Sequence, residues 1–205
     1  MKQDAFQRFI QTCEELQKIE TESPQNIEQF ILSLLAPNVD ARLFEIVSYA
    51  ILKFYYHEQT IIWGFNSENL IAENLKLFKT GRTNANDGGI DFVMKPLGRF
   101  FQVTETLDFK KYFLDIDKIE KYPITFVIKS EESIENLTEK LRTNAIKSYS
   151  IEAIVEKYLS CIEELINIPI LIERFRKAIE QSYLNHILIE IIKQSKVEFN
   201  YEETE

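Results

Sequence analysis

Apolar residues recur at helical spacing through the first third of the chain. Phe6, Phe9, Ile10, Cys13 and Leu16 fall on one face of a helix expected over 5–19, and a second expected over 25–35 ends before Pro37. Asp40 is a residue type that caps helix N-termini, and Leu43, Phe44, Val47, Ala50, Ile51 and Phe54 form a third apolar face behind it. The period then changes. Thr60 to Phe65 is β-branched and aromatic, as a short strand requires, whereas 66–89 is largely polar and reads as a loop. Strands are expected over 90–95 and 99–106, joined into a hairpin by the turn residues Lys95-Pro96-Leu97-Gly98. A helix over 109–120 and a buried strand over 123–129, carrying Ile124, Phe126, Val127 and Ile128, follow. From 133 onward the pattern is helical again, over 133–146, 151–168 and 169 to about 193, the last with room for one break and with Pro169 suited to a first helical turn.

Together these elements predict an α/β fold: a small central mixed β-sheet flanked by helices, with extra N- and C-terminal helices. The 205 residues suit one domain over 1–205, with its core at about 39–130 and a helical C-terminal part at 131–197. A hydrophobic fraction of 45% and a charged fraction of 28% are those of an ordinary soluble protein. The most apolar stretch, Ile46 to Tyr56, is interrupted by Lys53 and too short to span a bilayer. Cys13 and Cys161, both expected on amphipathic helices, read as reduced core thiols, which suits a cytoplasmic protein. Two cysteines with only His57 and His186 to assist make no four-ligand zinc site. His57 reads as a surface residue at a helix end, and His186, amid Leu184, Ile187 and Leu188, as packed.

The net charge of −9 argues against unspecific coating of nucleic acid. That charge is unevenly spread. Between Lys76 and Lys111 seven cations face four anions, a local +3, which leaves −12 for the remainder. A basic strip of this kind can meet phosphates locally, but charge alone favours a solvated surface.

Chemistry concentrates where the glycines do. Four of the five, Gly81, Gly88, Gly89 and Gly98, fall between 81 and 98. There the chain reads Asn86-Asp87-Gly88-Gly89-Ile90-Asp91-Phe92-Val93, and after the turn Phe100-Phe101-Gln102-Val103-Thr104-Glu105. An Asp-Gly-Gly-Ile-Asp run leading into a strand, a turn and a second strand bearing Gln-x-(Lys) resembles the signature of PD-(D/E)xK nucleases, particularly the Mrr-like branch. Length and motif layout are similar to those of type II restriction endonucleases, and the 80–106 block resembles ApaLI-like restriction enzymes. The specific likeness covers 81–105. It implies a restriction-endonuclease-like fold and Mg²⁺-dependent hydrolysis of phosphodiester bonds in specific double-stranded DNA, with Mn²⁺ as a substitute metal and a homodimer as the working unit. Carried over residue by residue, it makes Asp91 the primary Mg²⁺ ligand, Gln102 the second-strand ligand and the Val103 carbonyl a further one. Thr104 takes the usual lysine position.

Mg²⁺ takes hard oxygen ligands in octahedral geometry and keeps several waters, so one carboxylate, one amide and one carbonyl form a sparse set. Glu45, on the helix ahead of the first core strand, is the candidate for an additional acid; a solvated helix charge is the alternative reading. Thr104 departs from the pattern, because a threonine supplies no cation to orient water or neutralise phosphate. Lys110 or Lys111, just after the second strand, is the expected replacement, and an inactive DNA- or protein-binding relative is the alternative. Side-chain alternation puts Gln102 and Thr104 on one face; Asp91 joins them if Pro96-Leu97 forms a two-residue turn, and a three-residue connection with a bulge at Gly98 puts it on the other face unless the bulge corrects it. Lys79, Arg82, Asn84 and Asn86 are candidate DNA contacts, since arginine and asparagine read base edges, although asparagines also simply suit turns. A third reading makes the protein an α/β interaction module in which Asp87 and Asp91 only cap turns.

Overall fold

The computed structural model describes residues 3–18, 23–81, 90–149 and 151–200, and the chain divides into two compact units. The first comprises Met1–Leu77 and Leu171–Glu205, the second Phe78–Ile170. The core expected at 39–130 is thus shared between them.

The first unit is mainly helical. Its helices are α1 (Gln3–Lys18), α2 (Pro24–Ser33), α3 (Ala41–His57), most of α7 (Ile168–Glu180) and α8 (Leu184–Glu198). Asp40 caps α3 as its sequence position suggests, accepting from the Arg42 backbone N–H at 3.0 Å. The Arg42 guanidinium on the same carboxylate lowers its pKa to about 2. Helix α3 is buried continuously from Leu43 to Leu52, and α1, α2 and α3 all pack on α8. Two polar ties cross this apolar packing: Lys53 to Glu190 at 2.8 Å and Arg174 to the Tyr56 hydroxyl at 3.0 Å. Strands β1 (Thr60–Trp63) and β2 (Ile71–Asn74) form a separate two-stranded antiparallel sheet.

The second unit is built on a five-stranded mixed sheet in the order β3-β4-β5-β6-β7. Its edge strand β3 (Lys76–Lys79) spans the boundary between the units. Strands β4 (Phe92–Lys95) and β5 (Arg99–Thr104) are the expected antiparallel hairpin, with Gly98 at φ +67° closing the turn in the left-handed region that glycine tolerates. Helix α4 (Phe109–Lys118) returns the chain to β6 (Ile124–Ile128), parallel to β5. Helices α5 (Ile134–Tyr149) and α6 (Glu152–Leu159) then lead to β7 (Ile162–Ile166), parallel to β6. Tyr112, Phe113 and Ile116 of α4 pack with Ile124, Phe126 and Ile128 of β6 and Leu137 and Leu141 of α5 into one core.

Two expectations are corrected. The stretch 66–89, read as a loop, contains β2 and β3, with Leu75 buried between the two strands and Leu77 buried in β3. The helix expected over 151–168 ends at Leu159, and 162–166 is a strand. Ile162-Glu163-Glu164-Leu165-Ile166 suits either state locally. It becomes a strand because β6, buried at all five residues, requires a ladder on both sides. Arg99 secures the choice, reaching Thr125 of β6 at 3.0 Å and Glu163 and Glu164 of β7 at 3.1 and 2.7 Å. The C-terminal part 131–197 is therefore not all helix, and Cys161 sits in the turn before β7 rather than on a helix.

Candidate metal site at the hairpin end

Phe92 pairs with Phe101, Val93 with Phe100 and Met94 with Arg99. The turn runs over 96–98 and is closed by the Gly98 N–H on the Met94 carbonyl at 2.9 Å, so it is not the two-residue Pro96-Leu97 turn. The ladder ends at Phe92, and Asp91 just before it is not paired with Gln102. The Asp91 backbone is held on both sides. Its N–H donates to the Phe101 carbonyl at 2.9 Å, and its carbonyl accepts from the Thr80 N–H at 3.0 Å and hydroxyl at 3.1 Å. Its carboxylate accepts from the Val103 N–H at 2.6 Å, a charge-assisted bond that ties the acid to the second strand.

Gln102 is 7% exposed. Its Nε2 donates weakly to the Val103 carbonyl at 3.4 Å, while Oε1 is buried with no hydrogen-bond partner. An amide oxygen withdrawn from water and left without a donor costs free energy unless something else meets it. Thr104 is also buried. Its hydroxyl donates to the Thr106 carbonyl at 3.4 Å and accepts from the Thr106 N–H at 3.3 Å, so it braces the strand exit.

The sheet unit thus brings together Asp91, Gln102, Val103 and Thr104. Glu45 belongs to the helical unit, where it is buried at 5% exposure, which excludes the reading as a solvated helix charge. Lys110 is exposed in the first turn of α4, where its backbone N–H takes the Asp108 cap at 3.0 Å; Lys111 is exposed beside it. Lys79 is half-buried in β3. Arg82, Asn84, Asn86 and Asp87 lie outside the described residues. His57 is exposed, as expected. His186 is exposed too, not packed, its ring lying against Phe54 and Tyr183 at 5.7 and 5.5 Å.

Two groups escaped the sequence reading. Lys129 follows the last residue of β6, and its side chain is only 4% exposed. Its backbone N–H donates to the Thr104 carbonyl at 2.9 Å and its ammonium to Glu105 at 2.5 Å. Alternation puts Glu105 on the face of the sheet opposite Gln102. A lysine placed directly after the apolar run Phe126-Val127-Ile128 was the available signal. The second is Asp115 of α4, buried with one oxygen on Lys118 at 3.1 Å and the other unpartnered; burial raises its pKa.

Among the described residues no group of three or more His, Cys, Asp and Glu side chains is arranged to hold a metal ion. The oxygens at the hairpin end nevertheless suit a hard cation: the Asp91 carboxylate, the partnerless Gln102 Oε1 and the Val103 carbonyl. No helix among the described residues is long and apolar enough to cross a membrane. No family model matches the chain, and no curated protein or solved structure matches it significantly.

Proposed function

We propose that the protein is a Mg²⁺-dependent endodeoxyribonuclease of the type II restriction class, cutting specific double-stranded DNA as a cytoplasmic homodimer. The observation that carries this reading is the buried Gln102 amide oxygen that no protein group satisfies, one residue along β5 from the Val103 N–H that fixes the Asp91 carboxylate. Asp91, Gln102 and the Val103 carbonyl would hold the metal. When bound, Mg²⁺ supplies Lewis-acid polarisation of the scissile phosphate and a bound water of lowered pKa. The Val103 N–H orients the Asp91 carboxylate, and the backbone bonds from Thr80 and to Phe101 keep that residue from swinging away. Thr104 transfers no proton and braces the strand exit. The cation that the motif lacks at Thr104 would come from Lys110 or Lys111, exposed in the first turn of α4. The basic segment from Lys76 to Lys111 offers the phosphate-facing charge.

A second reading, a relative that binds DNA or a protein without cutting, is favoured by one observation: the Thr104 hydroxyl is committed to Thr106 and the position supplies no charge. Incubating the full chain with a complex mixture of duplex DNA in Mg²⁺, Mn²⁺ or EDTA separates the two. The nuclease reading expects discrete fragments that need metal and vanish in Asp91→Ala. Folded protein that binds DNA but leaves it intact in either metal would establish the second reading instead.

A further inference from the structure

Strand β7 ends the five-stranded sheet, so one of its edges has no neighbouring strand among the described residues. Beside that edge lies a groove of about 400 Å³. Its walls include Ile134, Thr138 and Leu141 of α5, Leu159 at the end of α6, and Ile162 and Leu165 of β7 itself. Four consecutive β7 residues, 162–165, line the groove. Successive strand side chains point to opposite faces, so a pocket touched by four in a row runs along the backbone edge rather than over one face.

The charged residues that line the groove, Glu163 and Glu164, are both acidic, and both reach the Arg99 guanidinium. Their side chains remain 41% and 28% exposed. Across 131–164 eight acidic residues face four basic ones. This pattern argues against a second copy of the chain, because a two-fold pairing of β7 sets Glu164 opposite its own counterpart. It argues equally against a phosphate backbone. What it admits is a strand of opposite charge.

We propose that the β7 edge is a docking site for an extended peptide of alternating basic and apolar residues, which adds to the sheet as a sixth strand. The peptide backbone takes up the outward-facing groups of β7, alternate apolar side chains enter the groove between α5 and β7, and the basic ones face Glu163. The same carboxylates that blunt the edge against self-association then select the partner. This proposal is independent of the nuclease reading.

The test uses the full chain and a short fluorescent peptide of alternating lysine and valine, with glutamate–valine as the charge-inverted control. Fluorescence anisotropy is expected to show saturable binding of the lysine–valine peptide at least about tenfold tighter than of the control. Thr138→Arg, at an exposed helix position on the groove wall, is expected to weaken it by about tenfold through bulk and charge together, and Glu163→Lys to weaken it as well. Amide exchange at 162–166 should slow when the peptide is bound, a change that loose charge association would not produce. Absence of binding, equal binding of both peptides, or binding without protection of β7 would overturn the proposal. So would a concentration-dependent dimer abolished by Thr138→Arg, which would assign the groove to a second copy.

Discussion

The protein contains two antiparallel hairpins of similar local composition and opposite circumstances. In β1–β2, Ile62 is 73% exposed, Phe65 96% and Leu70 56%, although the residue types are those of buried strands. In β4–β5, Phe92 and Phe101 are fully buried and their rings lie 6.4 Å apart on one face. What separates them is the number of neighbours. The first hairpin is a sheet by itself, the arrangement least able to stand alone, whereas the second has β3 on one side and β6 on the other. Only the second carries polar residues that it holds in place. Asp91 is fixed by four hydrogen bonds because strands lie on both sides of it, and a site that must hold a cation needs that kind of rigid support.

Truncating the same residue type in each hairpin should give opposite answers. Phe101→Ala opens a cavity in a site that cannot collapse, and a loss of about 3–5 kcal/mol is expected by chemical denaturation. Phe65→Ala removes a ring already in solvent and should stay within about 0.5 kcal/mol. Equal losses would mean that the β1–β2 face is covered in solution. Next in size is Gly64→Ala at the tip of the first hairpin, where an added Cβ would meet the Asn69 carbonyl oxygen at 2.1 Å. Backbone cannot yield as a side chain can, so a cost of about 1–3 kcal/mol is expected. The fingerprint is faster amide exchange across 60–74 with β4–β5 unchanged.

A smaller effect distinguishes buried polar groups within the sheet unit. Burial raises the Asp115 pKa in the folded state. The folded protein therefore holds that proton more tightly than the unfolded chain, and stability falls as pH rises from the unfolded carboxyl range through the raised folded value. Asp115→Asn removes this dependence. It should be more stable than the parent near neutral pH, with the difference closing below about pH 4, where both states of the parent are protonated. A gap that widens on acidification would show that the Lys118 pair outweighs burial.

The hairpin was legible in the sequence because its signals are local: alternating apolar residues on both sides of a proline–glycine turn, and an acid where the strand begins. The face of Asp91 was not legible: turn length left it open, and its N–H joins the Phe101 carbonyl beyond the last paired residues. Strand β7 was not legible. Ile162 to Ile166 satisfies a helical period as well as a strand one, and the deciding groups, the β6 ladder and the Arg99 guanidinium, lie tens of residues earlier in the chain. Lys129 was hidden for a related reason. Its burial depends on Glu105, which only the parallel β5–β6 register brings beside it. Sequence reading finds what one hairpin decides for itself and misses what a neighbouring strand decides for it.

The smallest expected stability change carries the sharpest information. Gln102 contributes one weak donor bond and one buried oxygen without a partner. Replacing it by leucine, similar in volume and without that oxygen, removes a desolvation cost along with a 3.4 Å bond, so Gln102→Leu should leave stability within about 1 kcal/mol of the parent or raise it. A buried polar residue that can be made apolar at no cost is not there to hold the fold together. If Gln102→Leu also abolishes metal-dependent cleavage while folding normally, the orphaned oxygen is a ligand and the hairpin end is the site. A stability loss of several kcal/mol, with Mg²⁺ making no difference to the melting of the parent, would return Gln102 to the fold and leave Asp91 as a strand cap.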